Sequence, residues 1–146
     1  MMTRTLGSYI AAVIVAYCFG ALFISQGNIA AVTGLGFDVT VSQRLGAIVH
    51  DVTGMMDIYL PLVAVSLLLG LPVAFAVVRK NPHLRMLGYV SAGFVALLAM
   101  HVIMKAVLGL SGIAPTRTVL GLLAQGVAGG IGGYLFCRLS GESSAN

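Results

Sequence analysis

The sequence predicts an all-α fold: an integral membrane four-helix bundle with an additional amphipathic helix in the first extracytoplasmic connection. Three observations predict it. Charged residues make up 8% of the 146 positions and hydrophobic ones 59%, whereas a soluble domain carries about 25% charged residues. The mean hydropathy is +1.04, so lipid rather than water must solvate most of the folded surface. Four apolar runs, each at least as long as the roughly 20 residues that a hydrocarbon core requires, are separated by Gly/Pro and basic breakers. The length suits one transmembrane domain covering residues 1–146.

The first span is expected at about residues 9–29, ahead of the Gly34, Gly36 and Asp38 turn. Arg4 precedes this run, as in a secretion signal, but the run exceeds the 7–15 apolar residues of a signal core and three more spans follow. It is read as a retained helix. Residues 40–56 carry Val41, Leu45, Ile48, Val49, Val52 and Met56 at helical spacing, with Ser42, Gln43, Arg44, His50, Asp51 and Thr53 elsewhere on the helix. That pattern is too polar to span; such a helix lies in the interface, folds back on the bundle, or caps it as a loop helix.

The second span is expected at about 57–78. Pro61 falls in its first turn, where a missing amide hydrogen costs little, and Pro72 lies inside, where it should kink the helix. Arg79-Lys80-Asn81-Pro82 ends it. The third span is expected at 86–110 and the fourth at 118–139, followed by a disordered tail at 140–146.

Basic residues set the expected orientation. With the N-terminus inside, Arg4, Arg79, Lys80, Arg85 and Arg138 are cytoplasmic, and Arg44, Lys105 and Arg117 lie outside. Tyr9, Tyr89 and Tyr134 then anchor the inner interface and Tyr59 the outer. The expected location is the cell inner (plasma) membrane, multi-pass, with both termini cytoplasmic. The net charge of +4 does not indicate nucleic acid, because the cations are scattered along apolar runs and form no patch with stacking aromatics.

Helix packing carries the clearest motif. The fourth span contains Gly126-x3-Gly130 and Gly129-x3-Gly133, the first Ala12-x3-Ala16-x3-Gly20, and the third Ala92-x3-Ala96. Small residues at this spacing let helix backbones approach closely. They serve packing within one bundle or, on the functional reading, a homo-oligomer or a docking face in a larger membrane complex. Cys18 and Cys137 are expected at different membrane depths, too far apart to bridge, and are read as small buried hydrophobes.

Polar groups within spans point to function, since they are costly in lipid. His101 and Lys105, four apart, share a helix face. At about 1.5 Å per residue from Leu110, they lie roughly 13 Å and 7 Å deep, so Lys105 can snorkel and His101 cannot. Gln26, Asp57, Tyr59, Arg117 and Gln125 fall in the same outer half. They are expected to converge as an outward-facing polar pocket for a small or lipid-like ligand. In it Asp57 pairs with Lys105, while Gln125 and Tyr59 bond His101. The bland alternative is a snorkelling lysine and a histidine bonded for structure alone.

Haem ligation by His50 and His101 is not expected, because His50 lies on the polar side of an interfacial segment, and the spans lack the carboxylates and paired thiols that metal transport needs. No cofactor or metal is expected. No catalytic serine or cysteine arrangement, phosphate loop or acidic pair appears. Two function classes follow. One is a non-enzymatic transport component or accessory subunit of a membrane complex, its partners lipid and neighbouring subunits. The other is a membrane-embedded enzyme acting on a lipid or quinone-like substrate.

Overall fold

A computed structural model describes residues 2–109 and 114–141 of the chain. Among them there are five α-helices and no strand: α1 (Met2–Gly34), α2 (Val41–Gly54), α3 (Tyr59–Val78), α4 (Arg85–Leu108) and α5 (Val119–Ser140). Short 3-10 turns, Pro82–Leu84 and Ala114–Arg117, precede α4 and α5. α1, α3, α4 and α5 are long and apolar enough to cross a membrane. The chain is a small polytopic membrane protein.

The four long helices alternate in direction, with α2 folded back between the first two of them. α5 is the central element, packed against α1 on one side and α4 on the other, with α3 against α4 and more lightly against α1. Arg4 and Arg85 meet the last turn of α5: Arg4 Nε donates to the Leu139 carbonyl at 2.9 Å and Arg85 Nη2 to Ser140 Oγ at 3.0 Å. Arg79, Lys80 and Arg138 join them at this basic end. The opposite end, called the far end here, carries the α1–α2, α2–α3 and α4–α5 connections.

Glycine decides how closely α5 is approached. A Cβ on Gly129 would land on the Gly93 carbonyl, 2.8 Å from its carbon, and one on Gly93 would lie 2.9 Å from the Gly129 carbonyl carbon. Gly133 stands equally close to Tyr89 backbone. Gly126 and Gly130 also face α4, Gly126 against the Phe94 ring and Gly130 more loosely, 3.6 Å from both Val90 Cγ1 and the Val90 carbonyl oxygen. The α1 face of α5 depends on Gly132, which the sequence motifs did not single out. A Cβ there would stand 2.9 Å from both the Ala12 carbonyl oxygen and the Ala16 Cβ. The Ala12-Ala16-Gly20 stripe thus faces α5. Ala92 and Ala96 face α3 at Gly70, where a Cβ would lie 2.9 Å from Ala96 Cβ.

The spans differ in detail from their expected limits. α1 begins near the chain start and runs to Gly34, 33 residues or roughly 50 Å at 1.5 Å per residue, far longer than a hydrocarbon core of about 30 Å. Gly27 and Asn28 lie inside it and do not break it. α3 continues unbroken through Pro72, and the proline is exposed. α4 stops at Leu108 on Gly109, whose φ of 67° closes the helix in the left-handed conformation that glycine tolerates. Ser140, placed in the tail by sequence, closes the last turn of α5 instead, its Oγ donating to the Phe136 carbonyl at 2.6 Å. Residues 142–146 of the expected tail, and residue 110 of the third span, lie outside the described residues. Cys18 and Cys137 are both free, but only Cys137 is buried; Cys18 is exposed on α1, because its side of that helix faces away from α5.

The amphipathic helix takes the fold-back option. A capping box at Thr40 and Gln43 starts α2, which runs back along α1. Arg44 Nη1 donates to Gln26 Oε1 at 3.3 Å, and the Tyr17 hydroxyl donates to the Val52 carbonyl. Val52 and Met55 pack on the core. Val41, Leu45 and Val49, by contrast, are 73%, 59% and 65% exposed. The apolar stripe of α2 therefore looks sideways from its contact with α1, towards whatever apolar medium surrounds the bundle.

Candidate functional site

Each of the four long helices contributes to one buried layer. Tyr17 and Gly20 come from α1, Tyr59 from the first position of α3, His101 from α4 and Gln125 from α5. Counted from Arg4, Arg85 and Ser140, this layer lies roughly 20–24 Å from the basic end at 1.5 Å per residue.

Gln125 is the hub. Its Oε1 accepts from the Tyr59 hydroxyl, and its Nε2 donates to the Gly20 carbonyl at 3.1 Å. This ties α5 to α3 and α1 together. Gly20 makes the bond possible, because a Cβ at that position would fall on the Tyr59 hydroxyl. Tyr17 stacks obliquely on Tyr59, with ring centroids 5.7 Å apart, and links the layer to α2 through Val52. A second tyrosine, Tyr9, stitches the α1–α3 seam lower down by donating to the Ala64 carbonyl at 2.7 Å.

His101 stands apart within this network. Its ring centroid lies 6.2 Å from that of Tyr59, and it is 4% exposed. Gln125 comes within reach of the imidazole, but no contact at Nδ1 or Nε2 has the geometry of a formed hydrogen bond. A neutral imidazole carries one donor and one acceptor, and each buried polar group left unpaired costs about 1–3 kcal/mol. Ser25 Oγ, fully buried on α1, is the other buried side-chain oxygen or nitrogen without a partner among the described residues.

No family model, curated protein or solved structure matches this chain.

Of the residues that sequence singled out, the fold brings His101, Tyr59 and Gln125 together. It leaves four outside. Asp57 is exposed in the turn between α2 and α3, and Lys105 is exposed one helical turn beyond His101 on α4. No ion pair joins them, although both lie at the far end. Arg117 is exposed in the turn before α5, and Gln26 is engaged by Arg44. Tyr17 and Ser25 were missed. The signal for Tyr17 was available: it lies mid-span, away from the interfaces to which the other tyrosines were assigned. Ser25 had no comparable signal, since a lone serine is easily absorbed by a membrane helix. Among the described residues no group of three or more His, Cys, Asp or Glu side chains gathers. His50 is exposed on α2, which packs along α1, whereas His101 is buried on α4.

Proposed function

We propose that this protein is a non-enzymatic component of a larger membrane assembly, and that its His101 layer holds a small polar ligand. The observation that carries this reading is His101 itself: a buried imidazole with both nitrogens unpartnered, set among Tyr59 and Gln125. An intramembrane ionisable side chain is expensive and marks a site by default. The layer is closed on all sides, with Tyr59 and Gln125 at 2% and 1% exposure, which favours a ligand of very few atoms over a whole lipid.

A binding role suits the packing better than a conduit. Between the layer and the basic end, α5 is in backbone contact with α4 at Gly93 and Gly133 and with α1 at Gly132. Those contacts close the α4–α5 and α1–α5 seams to a solute. The enzyme alternative asks Lys105 to anchor an anionic headgroup beside His101, and Lys105 is exposed while His101 is enclosed. The charge asymmetry between the two ends supports both termini on the cytoplasmic face of the inner membrane. A C-terminal reporter fusion is expected to signal from the cytoplasm, and a periplasmic signal would refute that orientation.

The test of the site is His101→Leu, a change close in size that removes both orphaned nitrogens. Wild type purified in mild detergent is expected to retain a small polar species or a partner subunit in native mass spectra. His101→Leu should lose it while keeping the wild-type circular dichroism spectrum and a thermal midpoint no lower. Identical retained species in the two proteins would sink the proposal and leave His101 a structural residue.

A further inference from the structure

At the basic end, a cavity of about 340 Å³ opens between the start of α4 and the end of α5, lined by Arg85, Met86, Cys137, Arg138 and Gly141. We propose that this cavity is a phosphate-binding site, and that it takes the headgroup phosphate of an anionic phospholipid.

Two guanidinium groups line it, and the fold holds one of them in place. Arg85 Nη2 donates to Ser140 Oγ, which in turn donates to the Phe136 carbonyl, and the guanidinium carbon lies 5.6 Å from the Tyr89 ring centroid. Gly141 lets the guanidinium lie flat on the chain, since a Cβ there would come within 2.8 Å of its carbon. Arginine has five N–H donors in a planar fork suited to phosphate, and one bond to Ser140 leaves most of them free. Arg138 is exposed and makes no ion pair or hydrogen bond with a described residue. The described acids, Asp38, Asp51 and Asp57, belong to the far end; Glu142 lies outside the described residues. Two cations facing one cavity repel each other, and an anion between them removes that cost.

The apolar surroundings select a lipid over a free anion. Met86 on the cavity wall is 57% exposed, with Leu87 beside it at 61% and Leu139 at 39%. The site therefore sits where headgroup meets acyl chain, as basic pockets between membrane helices do when they bind anionic headgroups.

The test uses the full-length protein in a non-ionic detergent, titrated with dioleoyl phosphatidylglycerol, dioleoyl phosphatidylcholine or inorganic phosphate and read by native mass spectrometry. Phosphatidylglycerol is expected to bind at least tenfold more tightly than phosphatidylcholine. Arg138→Gln should lose about tenfold in that affinity; this exposed side chain bonds no described residue, so the fold is expected to be preserved. Arg79→Gln removes the same charge from the same end, outside the cavity, and should bind like wild type. Saturable binding of inorganic phosphate that Arg138→Gln abolishes would also support the site, with the free anion as its source. Equal affinity for the two lipids with no phosphate binding, or equal losses in Arg138→Gln and Arg79→Gln, would overturn it.

Discussion

Valine at position 129 is expected to prevent the bundle from assembling. Gly129 and Gly93 face each other backbone to backbone, and a Cβ on Gly129 would overlap the Gly93 carbonyl and come within 3.1 Å of Leu97 Cβ. Neither obstacle is the flexible tip of a side chain, so relief requires α4 and α5 to separate along their whole contact. Overpacking a core costs about 1–3 kcal/mol when side chains can shift. Here Gly129→Ala should cost about that much, and Gly129→Val should exceed the roughly 5 kcal/mol at the lower end of typical protein stabilities. The neighbouring glycine makes a sharp control. A Cβ on Gly130 would sit 3.6 Å from Val90 Cγ1, an ordinary contact. Gly130→Ala should therefore be neutral, or stabilising by up to about 1 kcal/mol through helix propensity. Unfolding in mixed micelles of increasing dodecyl sulfate fraction, followed by circular dichroism, separates the two. Equal midpoints for Gly129→Ala and Gly130→Ala would show that the α4–α5 contact is looser than described.

Loss of the Gln125 amide is expected to have the next largest effect. Gln125→Leu orphans the Tyr59 hydroxyl inside a closed layer and removes a bond to the Gly20 carbonyl. An orphaned buried donor costs about 1–3 kcal/mol. Interhelical hydrogen bonds in membranes average lower, about 0.6 kcal/mol, because separated helices also find polar partners. A loss near 2 kcal/mol is expected for Gln125→Leu, and about 1 kcal/mol for Tyr59→Phe, which removes the donor and leaves an amide with another bond. The double variant should cost less than the sum, since both changes break the same bond. Strict additivity in the same micelle titration would mean that Tyr59 and Gln125 do not act as a pair.

These two expectations draw on different levels of the chain. The glycine pattern in the fourth span was open to reading, because three-residue spacing places small residues on one helix face whatever the partner. It did not say which glycine meets backbone. Gly129 and Gly133 press on backbone, whereas Gly126 meets the Phe94 ring, Gly130 has ordinary clearance, and Gly132 is the glycine in contact with α1. Which partner each face meets depends on helix rotation and crossing, set by all the contacts at once.

The same division holds for the site. His101, Tyr59 and Gln125 were legible as polar interruptions of apolar spans. Asp57 and Lys105 also were, but their long or loop-borne side chains reach solvent and need no partner. Tyr17 entered the layer because α1 continues to Gly34 and α2 folds back beside it, bringing the Val52 carbonyl within reach of its hydroxyl. The polar pattern of α2 alone allowed interface, fold-back or cap.

By itself the sequence determined the solvent, the four spans and the amphipathic fifth helix. These follow from composition and periodicity, because an apolar run of sufficient length has no other stable state in lipid. Only the tertiary structure decided that α5 lies at the centre, that Gln125 is the hub of the buried layer, and that both His101 nitrogens go unpartnered. Those outcomes depend on which faces meet, and a one-dimensional pattern fixes a face without naming its neighbour.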